Sequence, residues 1–241
     1  SYDGMVRLTG ALPIHVPVRR DNYHPDFDAL EAHVTENTKA IILNTPNNPT
    51  GAVYTAEETK RLVDFAVKHD LWILDDMIYS TLVWTDVGYT SPCAFEGGSE
   101  RTITIGGWSK GWAMTGWRLG WITGPTNLMD GVKIVNVSSA THVPTFLMPA
   151  AAKALSLDEE VQVMKDAFAE RRVLMHQGLS SLPGFVVPEP EGAFYILCDI
   201  TGTGLTDIEF AHQALEHAQV QVIPGSLMKG GDGLIRISYA T

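Results

Sequence analysis

The sequence has few basic residues and almost no cysteine, and each shortage excludes a class of protein. Its 241 residues include 17 lysines and arginines against 28 aspartates and glutamates, which gives a formal net charge of −11. A chain of that charge repels nucleic acids and anionic membranes, so we expect neither as a partner. Cys93 and Cys198 are the only cysteines. Two distant cysteines exclude a disulfide framework and are typical of a reducing cytoplasm.

Long apolar runs and metal-ligand spacings are also absent from the sequence. No run approaches the roughly 18 apolar residues of a membrane-spanning helix, and no charged and then apolar leader opens the chain. No histidine stands at ligand spacing from the adjacent acids Asp75 and Asp76. His212 and His217 are five positions apart, which places them off a shared helix face. We therefore expect a soluble cytoplasmic protein without a metal site.

Residues 40–75 follow the pattern of a strand, a loop, a helix and a second strand. Ala40–Asn44 and Leu71–Asp75 are short apolar runs of the kind found in buried parallel strands. Thr55, followed three residues later by Glu58, is a capping-box pattern at the start of an amphipathic helix. The pattern predicts a right-handed βαβ unit with parallel strands.

Polar clusters follow three of the predicted strands, where ligands of open α/β sheets bind. Thr102–Gly106 and Leu119–Thr123 are predicted as two further strands of the same sheet. The clusters that we expect the fold to bring together are Asn47-Asn48, Asp75-Asp76 and Ser109-Lys110.

The remaining segments predict helices at the middle of the chain and a smaller unit at its end. We predict a helix end followed by a strand within residues 1–25 (the strand at Ile14–Val18), then a short helix from Phe27 to Val34. Asp158–Leu182 is a long candidate helix that Pro183-Gly184 ends. The smaller unit combines strands at Phe185–Val187, Ala193–Ile200, near Val220 and near Leu234 with a helix capped by Thr206 and Glu209.

These elements predict an α/β fold with a mostly parallel sheet sandwiched by helices, plus a smaller α+β C-terminal domain. Apolar residues make up 45% of the chain, which is enough for a hydrophobic core. We place the large domain at residues 1–170 and the small domain at residues 171–241.

One lysine stands in an unusual setting of glycines and tryptophans. Lys110 lies in Gly106–Arg118, with Arg118 eight positions further on. Most lysines are solvated surface residues, but glycines that allow close backbone approach and tryptophans that form apolar walls are a poor surface face. The setting favours a lysine that loses its proton readily and acts as a nucleophilic amine.

Five spaced segments together resemble the aspartate-aminotransferase-like enzymes, the fold-type I family that uses pyridoxal 5'-phosphate (PLP). They are Asn44–Gly51, Leu74–Tyr79, Gly106–Arg118, Glu191–Tyr195 and Leu234–Thr241. The resemblance implies that PLP is the cofactor. The family's phosphate loop, its stacking aromatic residue and its last helix have no counterpart between Ser1 and Thr241, so the resemblance also implies an enzyme truncated at both ends.

The resemblance assigns cofactor contacts to six residues. Lys110 is implied to bind PLP covalently and to move the substrate proton, and Asp76 to pair with the pyridine nitrogen. Asn48 and Tyr79 are implied to donate hydrogen bonds to the phenolic oxygen. Ser109 and Arg118 are implied to bind the phosphate. We count Lys110, Asp76 and Tyr79 as catalytic.

The same resemblance assigns substrate contacts to Asn48 and Arg236. Arg236 is implied to clamp the α-carboxylate of the substrate, while Glu191–Tyr195 lines the substrate entrance. Gly107 departs from the family pattern, in which many members carry a phosphate-binding serine at that position. Asp75 stands where the family often has serine, and we assign it no role.

The implied activity is an aminotransferase that moves an amino group between an α-amino acid and a 2-oxo acid by a ping-pong mechanism. The implied assembly is a homodimer. Three alternatives stay open at this point: a PLP-dependent β-lyase, a PLP-binding effector module of a transcription regulator, and a fragment that binds no cofactor.

Overall fold

Two β-sheets organise the computed structural model, which describes residues 2–240. The first sheet has the order β1-β2-β3-β4, with β1, β2 and β3 parallel and β4 antiparallel to β3. The second sheet is antiparallel, in the order β5-β7-β6. The strands are β1 (Ala40–Asn44), β2 (Trp72–Asp76), β3 (Thr102–Gly107), β4 (Gly120–Thr123), β5 (Tyr195–Asp199), β6 (Ile223–Pro224) and β7 (Leu234–Ser238).

Helices flank both sheets within the described residues. They are α1 (Tyr2–Leu8), α2 (Phe27–His33), α3 (Ala56–Lys68), α4 (Thr126–Ser139), α5 (Met148–Ala154), α6 (Asp158–Ser180) and α7 (Asp207–Ala218). Among them none is both long and apolar enough to cross a membrane. A mostly parallel sheet with helices and a smaller antiparallel sheet with helices confirm the predicted fold class. The division into residues 1–170 and 171–241 stays a prediction.

The βαβ unit forms as its sequence pattern predicts. Strands β1 and β2 pair in parallel, with Asn44 beside Asp76 at their carboxyl ends. Both bonds of the capping box are present at the start of α3, where the Glu58 N–H donates to the Thr55 hydroxyl at 3.1 Å and the Thr55 N–H donates to the Glu58 carboxylate at 2.9 Å. Helix α3 buries Val63 and other apolar residues against Ile73 of β2.

Two predicted strands are wrong. Ile14–Val18 forms no strand, and only Val18 makes an isolated bridge, to Pro25. Pro17 has no N–H to donate to a ladder, which explains why the apolar run does not pair. Phe185–Val187 likewise contributes a single bridge, from Val186 to Asp199 at the end of β5.

The remaining strands of the small unit lie close to their predicted places. The strand predicted near Val220 begins later, at Ile223, and β7 ends at Ser238. Thr241, the last residue of the predicted C-terminal strand, lies outside the described residues.

One hydrophobic core joins residues after β2 to the antiparallel sheet. Tyr79 and Leu82 pack with Phe194, Tyr195 and Ile235 in a single buried cluster. This packing holds β5 and β7 against the loop that follows β2, at the edge where the parallel strands end.

A buried histidine reinforces the same junction. His24 lies between two carboxylates, with Nδ1 at 2.8 Å from Glu58 and Nε2 at 3.0 Å from Glu191. The bond to Glu191 and the bond to Glu58 raise the pKa of His24, against the effect of burial. Glu191 also accepts a hydrogen bond from the Val53 N–H at 2.8 Å. Glu191, which directly precedes Gly192 and leads to β5, is therefore held beside the start of α3.

Asp75 is a carboxylate buried in the middle of the parallel sheet. Its side chain is fully buried, and one oxygen accepts a hydrogen bond from the Tyr89 hydroxyl at 2.5 Å. The other oxygen has no hydrogen-bond partner within residues 2–240. Burial is the main cause that raises the pKa of Asp75 from 3.8 to about 6, while the Tyr89 bond opposes the rise.

We predict that Asp75→Asn removes a pH dependence of stability. Because the pKa of Asp75 is higher in the folded than in the unfolded chain, its stabilising contribution is full below pH 3.8 and is lost as pH rises through about 6. Asp75→Asn should reduce the fall in the free energy of unfolding over this interval by on the order of 2–3 kcal/mol. Urea unfolding at a series of pH values measures it.

Asp70→Asn provides the control, because the Asp70 side chain is 99% exposed and its φ of 51° is one that asparagine also adopts. A stability profile for Asp75→Asn that runs parallel to those of wild type and the control contradicts the prediction.

Candidate active site

The carboxyl ends of β1 and β2 are linked by side-chain amides. Asn44, the last residue of β1, donates from Nδ2 to the Asp76 carbonyl at 3.0 Å. The Asn48 N–H donates in turn to Asn44 Oδ1 at 2.9 Å. Asn44 therefore fixes both the end of β2 and the turn that carries Asn48. Sequence reasoning missed this role, although an asparagine that ends an apolar run is the available signal.

The predicted polar clusters meet only in part. Asn48 and Asp76 lie at the shared edge of the sheet, but the Asn47 side chain bonds to Asn44 and Thr50 within its own turn. Asp75 is in the interior under Tyr89, since successive side chains of a strand point to opposite faces. Of the three predicted pairs, Asn47-Asn48 and Asp75-Asp76 thus each bring one residue to this edge, Asn48 and Asp76.

Asp76 receives a hydrogen bond from a tyrosine far away in the sequence. The Tyr2 hydroxyl of α1 donates to one carboxylate oxygen of Asp76, and the Ile78 N–H donates to the other at 3.2 Å. Burial is the main cause that raises the pKa of Tyr2, and the bond to Asp76 raises it further. Tyr2 therefore stays a donor and fixes the orientation of the carboxylate. Nothing in the sequence signals a contact between residues 74 positions apart.

Lys110 lies in a cationic and apolar environment. It is half-buried, and its ammonium nitrogen is 5.6 Å from the centroid of the Phe194 ring. Burial lowers the pKa of Lys110, and the positive charges of Arg118 and Arg236 lower it further. Desolvation and like charges both favour the neutral amine, which is the nucleophilic form.

The tryptophans of the Lys110 segment support it unequally. Trp108 and Trp112 pack against the buried cluster that contains Met114, and the Trp108 indole donates to the Ala151 carbonyl at 3.0 Å. Trp117 is 43% exposed instead. Two of the three predicted apolar walls are therefore present among residues 2–240.

Arg236 reaches the parallel sheet from β7. Its Nη1 donates to Asn48 Oδ1 at 2.9 Å, and its guanidinium carbon lies 4.7 Å from the centroid of the Tyr195 ring. The Nε atom is buried and has no hydrogen-bond partner among residues 2–240. A guanidinium with a free, desolvated donor is suited to a carboxylate.

Arg118 and Tyr79 complete the predicted set. Arg118 is exposed, with Nη1 donating to the Thr115 carbonyl at 2.7 Å, and Ser109 is half-buried beside Lys110. Tyr79 is buried with its hydroxyl 3.2 Å from that of Tyr195. Burial and the bond to Tyr195 raise the pKa of Tyr79, while Asn48 lowers it.

Gly107 has a steric reason for its departure from serine. A β-carbon at this position would lie 2.8 Å from the carbonyl oxygen of Leu119, the residue directly before β4. A side chain there requires β3 and β4 to separate. The described residues also contain no group of three or more histidine, cysteine, aspartate or glutamate side chains that could hold a metal ion.

Sequence and structure both match aminotransferases. The profile of the family described as aminotransferase class I and II matches residues 1–241. The chain is 41% identical to an aspartate aminotransferase of Pyrococcus abyssi and 42% identical to aromatic-amino-acid aminotransferase 2 of Thermococcus litoralis. Both alignments cover 100% of this chain and 63% of the relative. The chain thus spans about 63% of the length of these curated relatives.

The solved structures agree. The crystal structure of an aromatic aminotransferase from Pyrococcus horikoshii superimposes with a TM-score of 0.96 at 40% identity, covering 100% of this chain and 65% of that one. An aspartate aminotransferase from Thermus thermophilus with maleate superimposes with a TM-score of 0.91 at 34% identity, covering 100% of this chain and 63% of that one.

We predict that the charge of Arg236 contributes to the low pKa of Lys110. Arg236→Met should raise the pH of half-maximal labelling of Lys110 by an amine-reactive reagent, because a neighbouring positive charge is lost. Arg236→Lys keeps the charge and should shift the midpoint less. Mass spectrometry of labelled peptides measures both.

Lys60, which is exposed on α3, is the internal control and should label alike in all variants. An unchanged Lys110 midpoint in Arg236→Met, or equal shifts at both lysines, contradicts the prediction.

Proposed function

The chain belongs to the aminotransferase class I and II family, and from this membership we propose that the protein moves an amino group between an α-amino acid and a 2-oxo acid. The single observation that carries the proposal is a local reversal of charge. A chain with a net charge of −11 places Arg118 and Arg236 close enough to lower the pKa of Lys110. Two arginines beside an amine whose neutral form is favoured suit substrates and a cofactor that carry carboxylate and phosphate groups.

The family uses PLP, and the residues at this site fit that cofactor. Lys110 offers an amine whose pKa is lowered mainly by burial. Asp76 offers a carboxylate fixed by Tyr2. The buried, unpartnered Nε of Arg236 requires an acceptor that the described residues do not provide. The amine is suited to the aldehyde of PLP and the oriented carboxylate to its pyridine nitrogen. The free guanidinium donor is suited to the carboxylate of a substrate.

When bound, PLP supplies an electron sink that stabilises negative charge at the α-carbon of the substrate. We propose that Asp76 keeps a proton on the pyridine nitrogen, which makes that sink stronger. Asn48 and Tyr79 donate to the phenolic oxygen. Ser109 and Arg118 bind the phosphate, for which the planar guanidinium fork is well suited.

Lys110 carries out the proton transfer in this proposal. Its Nζ atom would hold the cofactor at the aldehyde carbon. The neutral amine would take the proton from the substrate α-carbon and return it to the product, as general base and then general acid. Arg236, with Asn48, holds the α-carboxylate so that the α-carbon faces Nζ. The proposal includes the ping-pong mechanism, in which this one site would bind the amino acid and the 2-oxo acid in turn.

We also propose a homodimer in the cytoplasm. Exposed apolar side chains on α4 support the first part, since Ile134, Val135 and Val137 are each more than half exposed. Apolar groups exposed together indicate a contact surface. The free thiols of Cys93 and Cys198 support a reducing compartment.

The test is an amino-donor screen on the PLP-loaded protein with 2-oxoglutarate as acceptor. We expect conversion of 2-oxoglutarate to glutamate with at least one α-amino acid, abolished in Lys110→Ala and unaffected in Lys60→Ala. Release of ammonia and a 2-oxo acid without glutamate would indicate the β-lyase instead. A cofactor that binds without any turnover would indicate the effector module.

We predict that Arg236→Lys weakens binding of both substrates. The substitution keeps the charge but removes the planar fork, so KM for the amino acid and for the 2-oxo acid should each rise about 10- to 100-fold, which corresponds to the loss of one charge-assisted hydrogen bond. Steady-state kinetics of both half-reactions measure it. A KM that changes for only one of the two substrates contradicts a shared carboxylate clamp.

A further inference from the structure

Tyr195, on β5, contacts both Tyr79 and Arg236 of the proposed site. Strands β5 and β7 are antiparallel, with Leu197 opposite Arg236 and Tyr195 opposite Ser238. Tyr195 and Leu197 point to the same face, because side chains alternate along a strand. The Tyr195 ring is therefore a diagonal neighbour of Arg236, and the guanidinium carbon lies 4.7 Å from the ring centroid.

The Tyr195 hydroxyl points at a different partner. It lies 3.2 Å from the Tyr79 hydroxyl, and the two rings meet edge to face at 83° with centroids 5.8 Å apart. Within residues 2–240, Tyr79 is its one side-chain hydrogen-bond partner, and both rings are buried. The cation contact uses the face of the ring and the hydrogen bond uses its edge, so Tyr195 makes both at once.

A hydroxyl pair of this kind has a directional consequence. Either hydroxyl of the pair can be the donor, and as donor to Tyr195 the Tyr79 hydroxyl has a raised pKa. In the proposed function the Tyr79 proton goes to the phenolic oxygen of PLP instead, so Tyr195 donates to the Tyr79 oxygen, and this accepted hydrogen bond makes Tyr79 a stronger donor. When Tyr195 is absent, Tyr79 donates alone. The Tyr195 hydroxyl therefore affects how strong a hydrogen bond the Tyr79 hydroxyl can donate to the cofactor.

From these contacts we propose that Tyr195 is a positioning residue that orients the Tyr79 hydroxyl with its edge and supports the Arg236 guanidinium with its face. The inference rests on the proposed function, in which Tyr79 donates to the phenolic oxygen of PLP and Arg236 binds the substrate carboxylate. In this proposal Tyr195 itself contacts neither the cofactor nor the substrate. It couples the cofactor contact to the substrate contact through one rigid ring.

The two contacts can be separated by two substitutions at the same residue. Tyr195→Phe keeps the ring and removes the hydroxyl, whereas Tyr195→Leu removes both. Tyr239→Phe is the matched control, because Tyr239 is buried in the same core and its hydroxyl bonds to Trp84 and to the Ala193 carbonyl instead.

The first readout is the pH midpoint at which the visible absorption band of the lysine-bound cofactor titrates. A weaker donor at the phenolic oxygen raises that midpoint, so Tyr195→Phe should raise it by on the order of half a pH unit. Tyr239→Phe should leave it within error of wild type. Thermal unfolding of each variant shows that the fold is kept.

The second readout consists of two constants. One is KM for the carboxylate substrates, and the other is Kd for a non-reactive dicarboxylate, measured from the shift of the same absorption band. Tyr195→Leu should raise both constants about 2- to 30-fold, the range of a cation–π contact, while Tyr195→Phe should leave them within about twofold.

The measurements test the hydroxyl, the ring and the proposed function separately. A midpoint that moves no further in Tyr195→Phe than in Tyr239→Phe overturns the role of the hydroxyl, and equal carboxylate affinity in wild type and Tyr195→Leu overturns the role of the ring. A wild-type protein that shows no titrating band and no transamination overturns the proposed function and this inference together.

Discussion

The hydrogen bond from Arg236 to Asn48 connects the two sheets at the candidate active site, and the rest of the site depends on it. At 2.9 Å it joins the middle of β7 to the turn after β1, while Asn44 ties that turn to the end of β2. The shared core around Tyr79 and the buried His24 bridge support the same junction. A displacement of β7 would therefore change the charge around Lys110 and the position of Asn48 together.

Two adjacent acids show how strand geometry separates structural from chemical roles. Asp75 and Asp76 differ by one position in β2, so their side chains lie on opposite sides of the sheet. Asp75 is enclosed under Tyr89 with its pKa raised to about 6, mainly by burial. Asp76 ends the strand, where Tyr2 and the Ile78 N–H bind its carboxylate. The same residue type thus provides a buried carboxyl group with a raised pKa and an oriented carboxylate.

Local signals in the sequence predicted most of the fold, because capping boxes and apolar strands are encoded over a few residues. Thr55, Thr206 and the run Ala40–Asn44 are examples, and each appears where it was predicted. The strand predicted at Ile14–Val18 failed because proline removed its ladder donor. The bond from Tyr2 to Asp76 could not be predicted, since it depends on the path of the chain between them. Similarly, the obstacle to a side chain at Gly107 is the carbonyl of Leu119, twelve positions away and directly before β4.

The central claim is that Lys110 is the residue that binds the cofactor, and its most direct test is chemical trapping. Borohydride reduction of the PLP-loaded protein makes the bond between lysine and cofactor permanent, and peptide mass spectrometry then locates the label. The account predicts one labelled peptide, which contains Lys110, because its amine has a pKa lowered by burial and by two arginines. A label on Lys133 or Lys153 with Lys110 unmodified would contradict the account.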